Sequence, residues 1–219
     1  FWSADFTGSG LPSAEAYENI TLVTREGSRE VYDDIARISL TPKGEILIDG
    51  KENEGAETDR RTPRQEVRVH TSELVVPKGK RAHLQLSDGT RVWINSASVL
   101  RFPSAFGDTR DVFVEGEAYF EVQHDAQAPF VVSTNGLDIK VLGTRFNIRN
   151  DDSDHRITTV LLEGAVKAYA SGDEKAAVRL RPSQQLVFDT RTGAMRLTDE
   201  PSAERSINWI DGRFCFEHD

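Results

Sequence analysis

The stretch RAHLQLSDGTRVWI (Arg81–Ile94) contains two short runs in which apolar and polar residues alternate, separated by Ser87–Gly89. This period of two predicts two β-strands joined as a hairpin. A two-residue Asp-Gly turn would place Leu84 opposite Trp93, so that the aliphatic residues of the two strands faced opposite sides. A three-residue loop places Leu84 opposite Val92 and collects the aliphatic residues on one face. Because a buried apolar face fixes the register, we predict the three-residue loop, with its glycine left-handed.

The same alternation extends along the chain on both sides of this hairpin, from Ile35–Leu40 to Ala194–Thr198. The runs are rich in Val, Ile and Phe and are interrupted by Gly, Pro, Asn and Asp, which is typical of short strands. A short helix is predicted only near Pro12–Asn19, with Ser13 as its cap. The pattern predicts an all-β protein, an antiparallel β-sandwich or jelly-roll-like body over about Leu74–Thr198.

The run DVFVEGEAYFEV continues this pattern over Asp111–Val122. Its even-numbered residues are mostly apolar and include Phe120, so we predict that they face the core. Its odd-numbered residues include three glutamates and Tyr119, and we predict that Glu115, Glu117 and Tyr119 are exposed. Gly116 interrupts the run and predicts a bend.

The 219 residues divide into three predicted parts. Residues 1–65 contain an N-terminal strand group followed by the charged loop Gly50–Pro63. Residues 66–200 form the main β domain, and residues 201–219 begin a small C-terminal module that is incomplete here.

Four large apolar residues crowd the end of the sequence: Ile207, Trp209, Phe214 and Phe216. Natural domains rarely expose such a run. Either this segment is a strand of a module that continues beyond the sequence, or it docks onto the main core. We predict that these four residues bind a partner, as an edge strand or through the module that they begin.

Composition excludes several classes of function. The net charge of −9 argues against binding to nucleic acid or anionic lipid through bulk charge. The single cysteine, Cys215, excludes an intrachain disulfide and a cysteine-built zinc site. No apolar run approaches the roughly 20 residues that span a bilayer. Since the sequence starts at Phe1, we expect a fragment or processed form whose membrane anchor lies outside it.

The sequence contains no recognisable active site. The five histidines have no metal-ligand spacing, and neither a phosphate-binding glycine loop nor a GxSxG motif occurs. We therefore predict no enzyme, no cofactor and no metal.

Two weaker patterns leave alternatives open. Glu115, Glu117 and Glu121 on one strand could flank a glycosidic bond, as paired carboxylates do in glycoside hydrolases. Trp93 and Tyr119, if exposed, could form a platform on which sugars stack. A carbohydrate-binding β-sandwich is therefore the main alternative function.

Five blocks, in this order and spacing, resemble the FecR domain family: LSDGTRVWINSASVLRFPSAF (Leu86–Phe106), RDVFVEGEAYFEV (Arg110–Val122), APFVVST (Ala128–Thr134), VLGTRFNIR (Val141–Arg149) and LLEGAVKAY (Leu161–Tyr169). In addition, INWIDGRFCF, residues 207–216, resembles the first strand of the small C-terminal module of the Bacteroidetes-type branch.

This resemblance implies the periplasmic portion of a FecR-type anti-sigma factor, a single-span inner-membrane protein. Its partner would be the signalling domain of a TonB-dependent outer-membrane transducer. A cytoplasmic part, absent from this sequence, would regulate transcription through an ECF sigma factor. The resemblance also raises self-cleavage between Gly143 and Thr144, by attack of the threonine hydroxyl on the preceding carbonyl. The ordinary alternative is that Gly143 forms a strand bulge.

Overall fold

A computed structural model describes residues 13–25, 27–31, 33–42, 45–48, 51–52, 70–151 and 154–210 of the chain. Strands numbered in chain order form two sheets. The nine-stranded sheet contains, in spatial order, β17 (Val178–Leu180), β16 (Val166–Ala170), β13 (Leu137–Val141), β12 (Phe130–Thr134), β10 (Arg110–Glu115), β9 (Ser98–Pro103), β6 (Thr71–Val76), β1 (Ile20–Thr24) and β2 (Gly27–Val31).

The ten-stranded sheet contains, in spatial order, β19 (Met195–Asp199), β18 (Gln184–Asp189), β15 (Arg156–Glu163), β14 (Arg145–Asp151), β11 (Glu117–Glu121), β8 (Arg91–Ile94), β7 (Arg81–Gln85), β3 (Ile35–Leu40), β4 (Ile46–Ile48) and β5 (Lys51–Glu52). Three short 3₁₀ helices, Ala14–Ala16, Glu174–Ala176 and Ala203–Ile207, complete the described elements.

The predicted all-β sandwich is confirmed, but the sheets are mixed and not wholly antiparallel. β10 pairs with β12 in parallel, and so does β3 with β7. Between β10 and β12 the chain passes through β11 in the other sheet, so it returns to start β12 in the same direction as β10. Parallel neighbours need such a crossover connection.

The N-terminal strands extend both sheets. β1 pairs with β6 at one side of the sandwich, and β3 pairs with β7 at the other. Ile20, Leu22 and Ile38 are almost fully buried in the same core as the strands that follow. The N-terminal strands and the strands that follow therefore share one core.

Two local predictions in the N-terminal part differ from the structure. The helix near Pro12–Asn19 is a single 3₁₀ turn, and Ser13 caps it without a side-chain hydrogen bond. Lys51–Glu52 forms β5 inside the loop predicted over Gly50–Pro63. The remainder of that loop lies outside the described residues.

The hairpin of β7 and β8 has the predicted register. Leu84 lies opposite Val92, and the Leu86 N–H donates to the Thr90 carbonyl at 2.8 Å. The three-residue loop requires a left-handed residue, and Gly89 supplies it with φ +86°. The predicted three-residue loop is therefore confirmed.

Asp88 ties this loop to the other sheet. Its carboxylate accepts hydrogen bonds from the Thr90 N–H at 2.9 Å and from the Thr90 hydroxyl at 2.7 Å. It also accepts one from Arg110, which is 3% exposed, at 2.8 Å. The Arg110 guanidinium donates further to the carbonyls of Gln123 and Ala128. Because a buried cation needs an acidic partner, Asp88 and Arg110 stabilise each other across the sandwich.

The chain bends at Gly116 and changes sheets there. β10 belongs to the nine-stranded sheet, and β11, directly after Gly116, belongs to the ten-stranded sheet. Val112 and Val114 therefore face the core from one sheet, and Ala118 and Phe120 face it from the other, all of them fully buried. The predicted parity of the even-numbered residues and the predicted bend are confirmed.

Position 116 has no room for a side chain. A Cβ there would lie 2.3 Å from Ser98 Oγ and 2.8 Å from Ser98 Cα. Ser98 is the first residue of β9, and the chain crosses from one sheet to the other between β8 and β9, beside this corner. The Ser98 hydroxyl accepts a hydrogen bond from the Glu117 N–H at 2.9 Å. Gly116 also has φ +88°, which disfavours other residues.

A second corner has the same construction. β13 continues into β14 across the sheets, and β15 continues into β16 beside it. A Cβ at Gly164 would lie 2.9 Å from the Gly143 carbonyl oxygen and 2.9 Å from Thr144 Oγ1. The sandwich is thus crossed at two places by paired, sharply bent segments that nearly touch.

Gly116→Ala should destabilise the protein more than Gly172→Ala. Gly172 has φ +89°, but a Cβ at that position would meet no atom within 4 Å, so its substitution adds only backbone strain, about 1 kcal/mol. Gly116→Ala adds overlap with Ser98 and should lower the free energy of unfolding by about 2–4 kcal/mol. Urea-induced unfolding measures both. Equal losses would show that the contact with Ser98 does not constrain the corner.

Candidate functional site

Three aromatic rings lie side by side on the outer face of the ten-stranded sheet. Trp93 of β8 is opposite His83 of β7 on one side and opposite Tyr119 of β11 on the other. The ring centroids are 4.6 Å apart for His83 and Trp93, and 5.3 Å apart for Trp93 and Tyr119. Strand alternation places them here, because their neighbours in sequence face the core.

The C-terminal segment, residues 200–210, returns to this outer face. The Glu200 N–H donates to the Ser183 carbonyl at 2.7 Å, and the 3₁₀ helix Ala203–Ile207 packs beside β15. Trp209 and Ile210 then face the sheet, enclosing with it a cavity of about 180 Å³ whose wall includes His83 and Trp93. We call this the His83–Trp209 cavity.

Half of the predicted partner-binding residues can be placed. Ile207 and Trp209 are half-buried in this C-terminal segment. The predicted strand does not begin at Ile207, which ends a 3₁₀ helix and is followed by a turn through Ile210. Phe214 and Phe216 lie outside the described residues, so their predicted role stays a prediction.

The prediction that Tyr119 is exposed is wrong. Its side chain is only 2% exposed, and its hydroxyl donates to Glu121 at 3.1 Å and accepts from Arg145 at 3.0 Å. Burial raises the pKa of Tyr119 to about 12. Trp93 is half-buried and lines the His83–Trp209 cavity. The two rings therefore do not form the open platform that a sugar would need.

A ladder of ion pairs runs beside the aromatic rings. Glu121 pairs with Arg91 and with Arg145, the latter at 3.2 Å, and Arg145 also reaches Glu163 at 3.4 Å. The hydrogen bond from Arg145 to Tyr119 raises the pKa of the arginine further above its usual range. The four charges lie on neighbouring strands, so the ladder links β8, β11, β14 and β15.

The corner at Gly116 separates Glu115 from Glu117 and Glu121, the other glutamates considered as possible acid pairs. Glu115 lies on the nine-stranded sheet and pairs with Arg101 at 3.1 Å. Glu117 accepts from the side-chain amides of Asn95 and Asn147 at 2.8 and 2.9 Å. With Glu121 in the ion-pair ladder, each of the three carboxylates is held in its own set of contacts.

Gly143 and Thr144 line a cleft of about 440 Å³ on the same side of the protein. Gly143 lies in the bend between β13 and β14, so it does not form a strand bulge. A Cβ at Gly143 would lie 2.6 Å from His124 Nδ1, which places an imidazole beside the bond. The Thr144 hydroxyl is buried and donates to the Ala165 carbonyl at 3.0 Å.

His124 could not be found from the sequence, because its proximity to Gly143 depends on the packing of the loop after β11 against the corner. Arg110 was likewise missed as the partner of Asp88. Within the described residues, no three His, Cys, Asp or Glu side chains cluster as metal ligands. No helix in the same residues is long and apolar enough to cross a membrane.

Comparison with known proteins identifies a family that matches part of the chain. Residues 72–167 match the FecR protein family. Two crystal structures of a candidate anti-sigma factor from Parabacteroides distasonis ATCC 8503 are similar to the chain. One is 33% identical with a TM-score of 0.59 and covers 64% of this chain. The other is 32% identical with a TM-score of 0.60 and covers 65%. No curated protein matches the chain.

The chain spans 65% of the length of each of these structures. The matched region runs from β6 into β16 and includes the hairpin of Asp88, both sheet-crossing corners and the aromatic rings of the outer face. Family match, fold and sequence identity agree. Residues 72–167 of this chain therefore form a FecR-type domain.

Proposed function

We propose that this chain is the periplasmic, signal-receiving part of a single-span inner-membrane anti-sigma factor. In this role it binds the signalling domain of a TonB-dependent outer-membrane transducer. A cytoplasmic part outside this sequence then releases or activates an ECF sigma factor and so regulates transcription. The FecR match and the similarity to the Parabacteroides distasonis structures support this proposal.

The observation that most strongly supports the proposal is the packing of the C-terminal segment on the FecR domain. Trp209 and Ile210 share a cavity with His83 and Trp93 of the central strands. A partner that binds this segment, or a module attached to it, alters contacts with the sheet. Differential contact of this kind is what a protein needs to transmit a binding event between two sites.

The surroundings of the polar groups favour regulation over catalysis. Glu115, Glu117 and Glu121 are each engaged in ion pairs or amide hydrogen bonds. We therefore propose that the domain acts through protein–protein contacts, without a cofactor, and that the carbohydrate-binding alternative does not apply.

Partner binding through Ile207 and Trp209 is tested by the double variant Ile207→Ala, Trp209→Ala. Large apolar side chains at the centre of an interface carry much of its affinity. We expect the variant to bind the transducer signalling domain at least about tenfold more weakly than the unchanged chain by calorimetry. Leu142→Ser, which alters an apolar side chain that is 43% exposed elsewhere, should leave the affinity unchanged.

Thermal unfolding of both variants checks that they remain folded. Equal affinity of the double variant and the unchanged chain would move the binding surface to the body of the FecR domain. If the unchanged chain does not bind the signalling domain at all, the transducer is not its partner and the signalling proposal fails.

Self-cleavage between Gly143 and Thr144 has its own test. The structure offers His124 as a neighbouring base, but the Thr144 hydroxyl is buried and donates to Ala165. We expect intact-mass analysis of fresh protein to give a single species at full mass, because attack on the Gly143 carbonyl requires that hydroxyl to leave its acceptor. Cleavage would instead give two fragments that end and begin at this bond. These fragments should be absent from Thr144→Ala and present in the control Thr134→Ala.

A further inference from the structure

β19 is an outermost strand of the ten-stranded sheet, and one of its two sides is open. β18 pairs with it along its whole length, and no other described strand pairs with it. Leu197 lies opposite the buried Leu186, so it faces the interior of the sandwich. Leu197 is nevertheless 39% exposed, which shows that the apolar interior is incompletely covered at this edge.

The backbone groups of β19 alternate between β18 and the open side. At the two ends of the strand, the Ala194 carbonyl and the Glu200 N–H form hydrogen bonds with residues of, or next to, β18. The even-numbered residues therefore bond to β18, and in an antiparallel ladder the residues between them direct their N–H and C=O groups the other way. Leu197 and Asp199 thus present their backbone donors and acceptors to the open side.

The other outermost strands are less suited to further pairing. Very short edge strands and exposed charges are common protections against it. β17 has three residues and β5 has two. β2 has five residues, but they include Arg29 and Glu30, and its one large apolar residue is buried. β19 has five residues and exposes Leu197, so it combines a longer edge with an accessible apolar side chain.

The chain that follows β19 does not return along this open side. The 3₁₀ helix Ala203–Ile207 packs beside β15, and Ile210 lies at the cavity beside β7. β7 is six strand positions away from β19, roughly 29 Å at about 4.8 Å per strand. Within the part of the chain that the structure describes, the open side of β19 is therefore available to another chain.

We propose that β19 pairs with β19 of a second copy of this chain, in antiparallel orientation and with Thr198 on the two-fold axis. In this register Arg196 lies opposite Glu200 of the second copy on the outer face, and symmetry repeats the pair. Thr198 lies opposite its own counterpart. Opposite charges and paired threonines on neighbouring strands both stabilise a sheet. Association of identical surfaces about a two-fold axis is also the commonest arrangement of two copies of a chain.

The backbone and the charges select the same register. With Thr198 on the axis, Leu197 and Asp199 of the second copy exchange their outward hydrogen bonds, and the two Leu197 side chains lie diagonally across the axis. Centring the pairing on Leu197 would also form hydrogen bonds. It would place Arg196 opposite Thr198, however, so that neither Arg196 nor Glu200 faced an opposite charge.

The size of this interface limits its strength. Stable dimers bury roughly 1,200–2,000 Å² in total, and the pairing of one five-residue strand buries less. The association should therefore be weak and should depend on protein concentration. It is independent of the proposed signalling role, since neither a transducer nor a sigma factor takes part in it.

Sedimentation velocity of the unchanged chain from about 10 µM to about 1 mM tests for this dimer. We expect the weight-average mass to rise with concentration toward twice that of the monomer. The rise should be smaller in about 1 M salt than in about 0.05 M salt, because exposed ion pairs are screened. A monomer mass at every concentration would overturn the proposal.

An exchange of charges tests the register. Arg196→Glu and Glu200→Arg should each weaken self-association at least about tenfold, because each places like charges opposite each other twice in the dimer. The double variant Arg196→Glu, Glu200→Arg should restore the association of the unchanged chain. Arg29→Glu, which makes the same charge change on the edge strand β2, should have no effect. Association that is unaltered in both single variants, or that the exchange does not restore, would contradict this pairing.

Leu197→Pro tests the backbone pairing. Proline lacks the N–H that points to the open side, leaves the hydrogen bonds with β18 intact and is tolerated on edge strands. We expect this variant to stay monomeric at about 1 mM, with thermal unfolding as the check that it is folded. Leu197→Ala, which keeps the N–H, should weaken the association less. Equal association of these two variants would show that β19 does not pair through its backbone. If Leu197→Pro does not fold, the exchange of charges decides.

Discussion

The contact between Gly116 and Ser98 is the constraint on which the two sheets depend. At this point two neighbouring segments cross between the sheets, and their backbones approach so closely that a Cβ at position 116 would overlap with Ser98. The bend keeps one parity of residues facing inward from both sheets, so Val114 and Phe120 reach the same core. The corner at Gly143 and Gly164 repeats this arrangement with a second pair of strands. A sandwich folded in this way needs close backbone packing at its corners as well as an apolar interior.

The same corners determine where the candidate site lies. Because β11 enters the ten-stranded sheet directly after Gly116, it becomes the neighbour of β8, and Tyr119 comes to lie beside Trp93 and His83. The residues that alternate with the core residues of these strands face outward. Their rings form a surface on which the C-terminal segment can pack. The ion-pair ladder around Glu121 and Arg145 borders this surface and holds the four strands in register.

Features that depend on residues close in sequence could be predicted, whereas features that depend on residues distant in sequence could not. The register of the β7–β8 hairpin and the inward parity around Phe120 depend on residues close in sequence, and both were predicted correctly. Tyr119 was predicted to be exposed because alternation cannot reveal that a residue on an outer face is covered by distant parts of the chain. Strand direction is equally invisible to alternation, which is why the parallel pairs β10–β12 and β3–β7 were missed. The large apolar side chains after Pro201 resembled a strand, although Ile207 ends a 3₁₀ helix, since apolar content alone does not fix backbone conformation.

If the domain relays a signal, the C-terminal segment can change position more easily than the sheets can. The sandwich has a continuous core of almost fully buried side chains and two corners without spare space, so deforming the sheets would disrupt many contacts together. The C-terminal segment instead meets the sheet across a cavity, and its Trp209 is only half-buried. Regions with few buried apolar contacts open at a lower free energy than the core. Under the proposed function, the FecR domain would stay fixed, and a partner would change how residues 207–210 pack on its outer face.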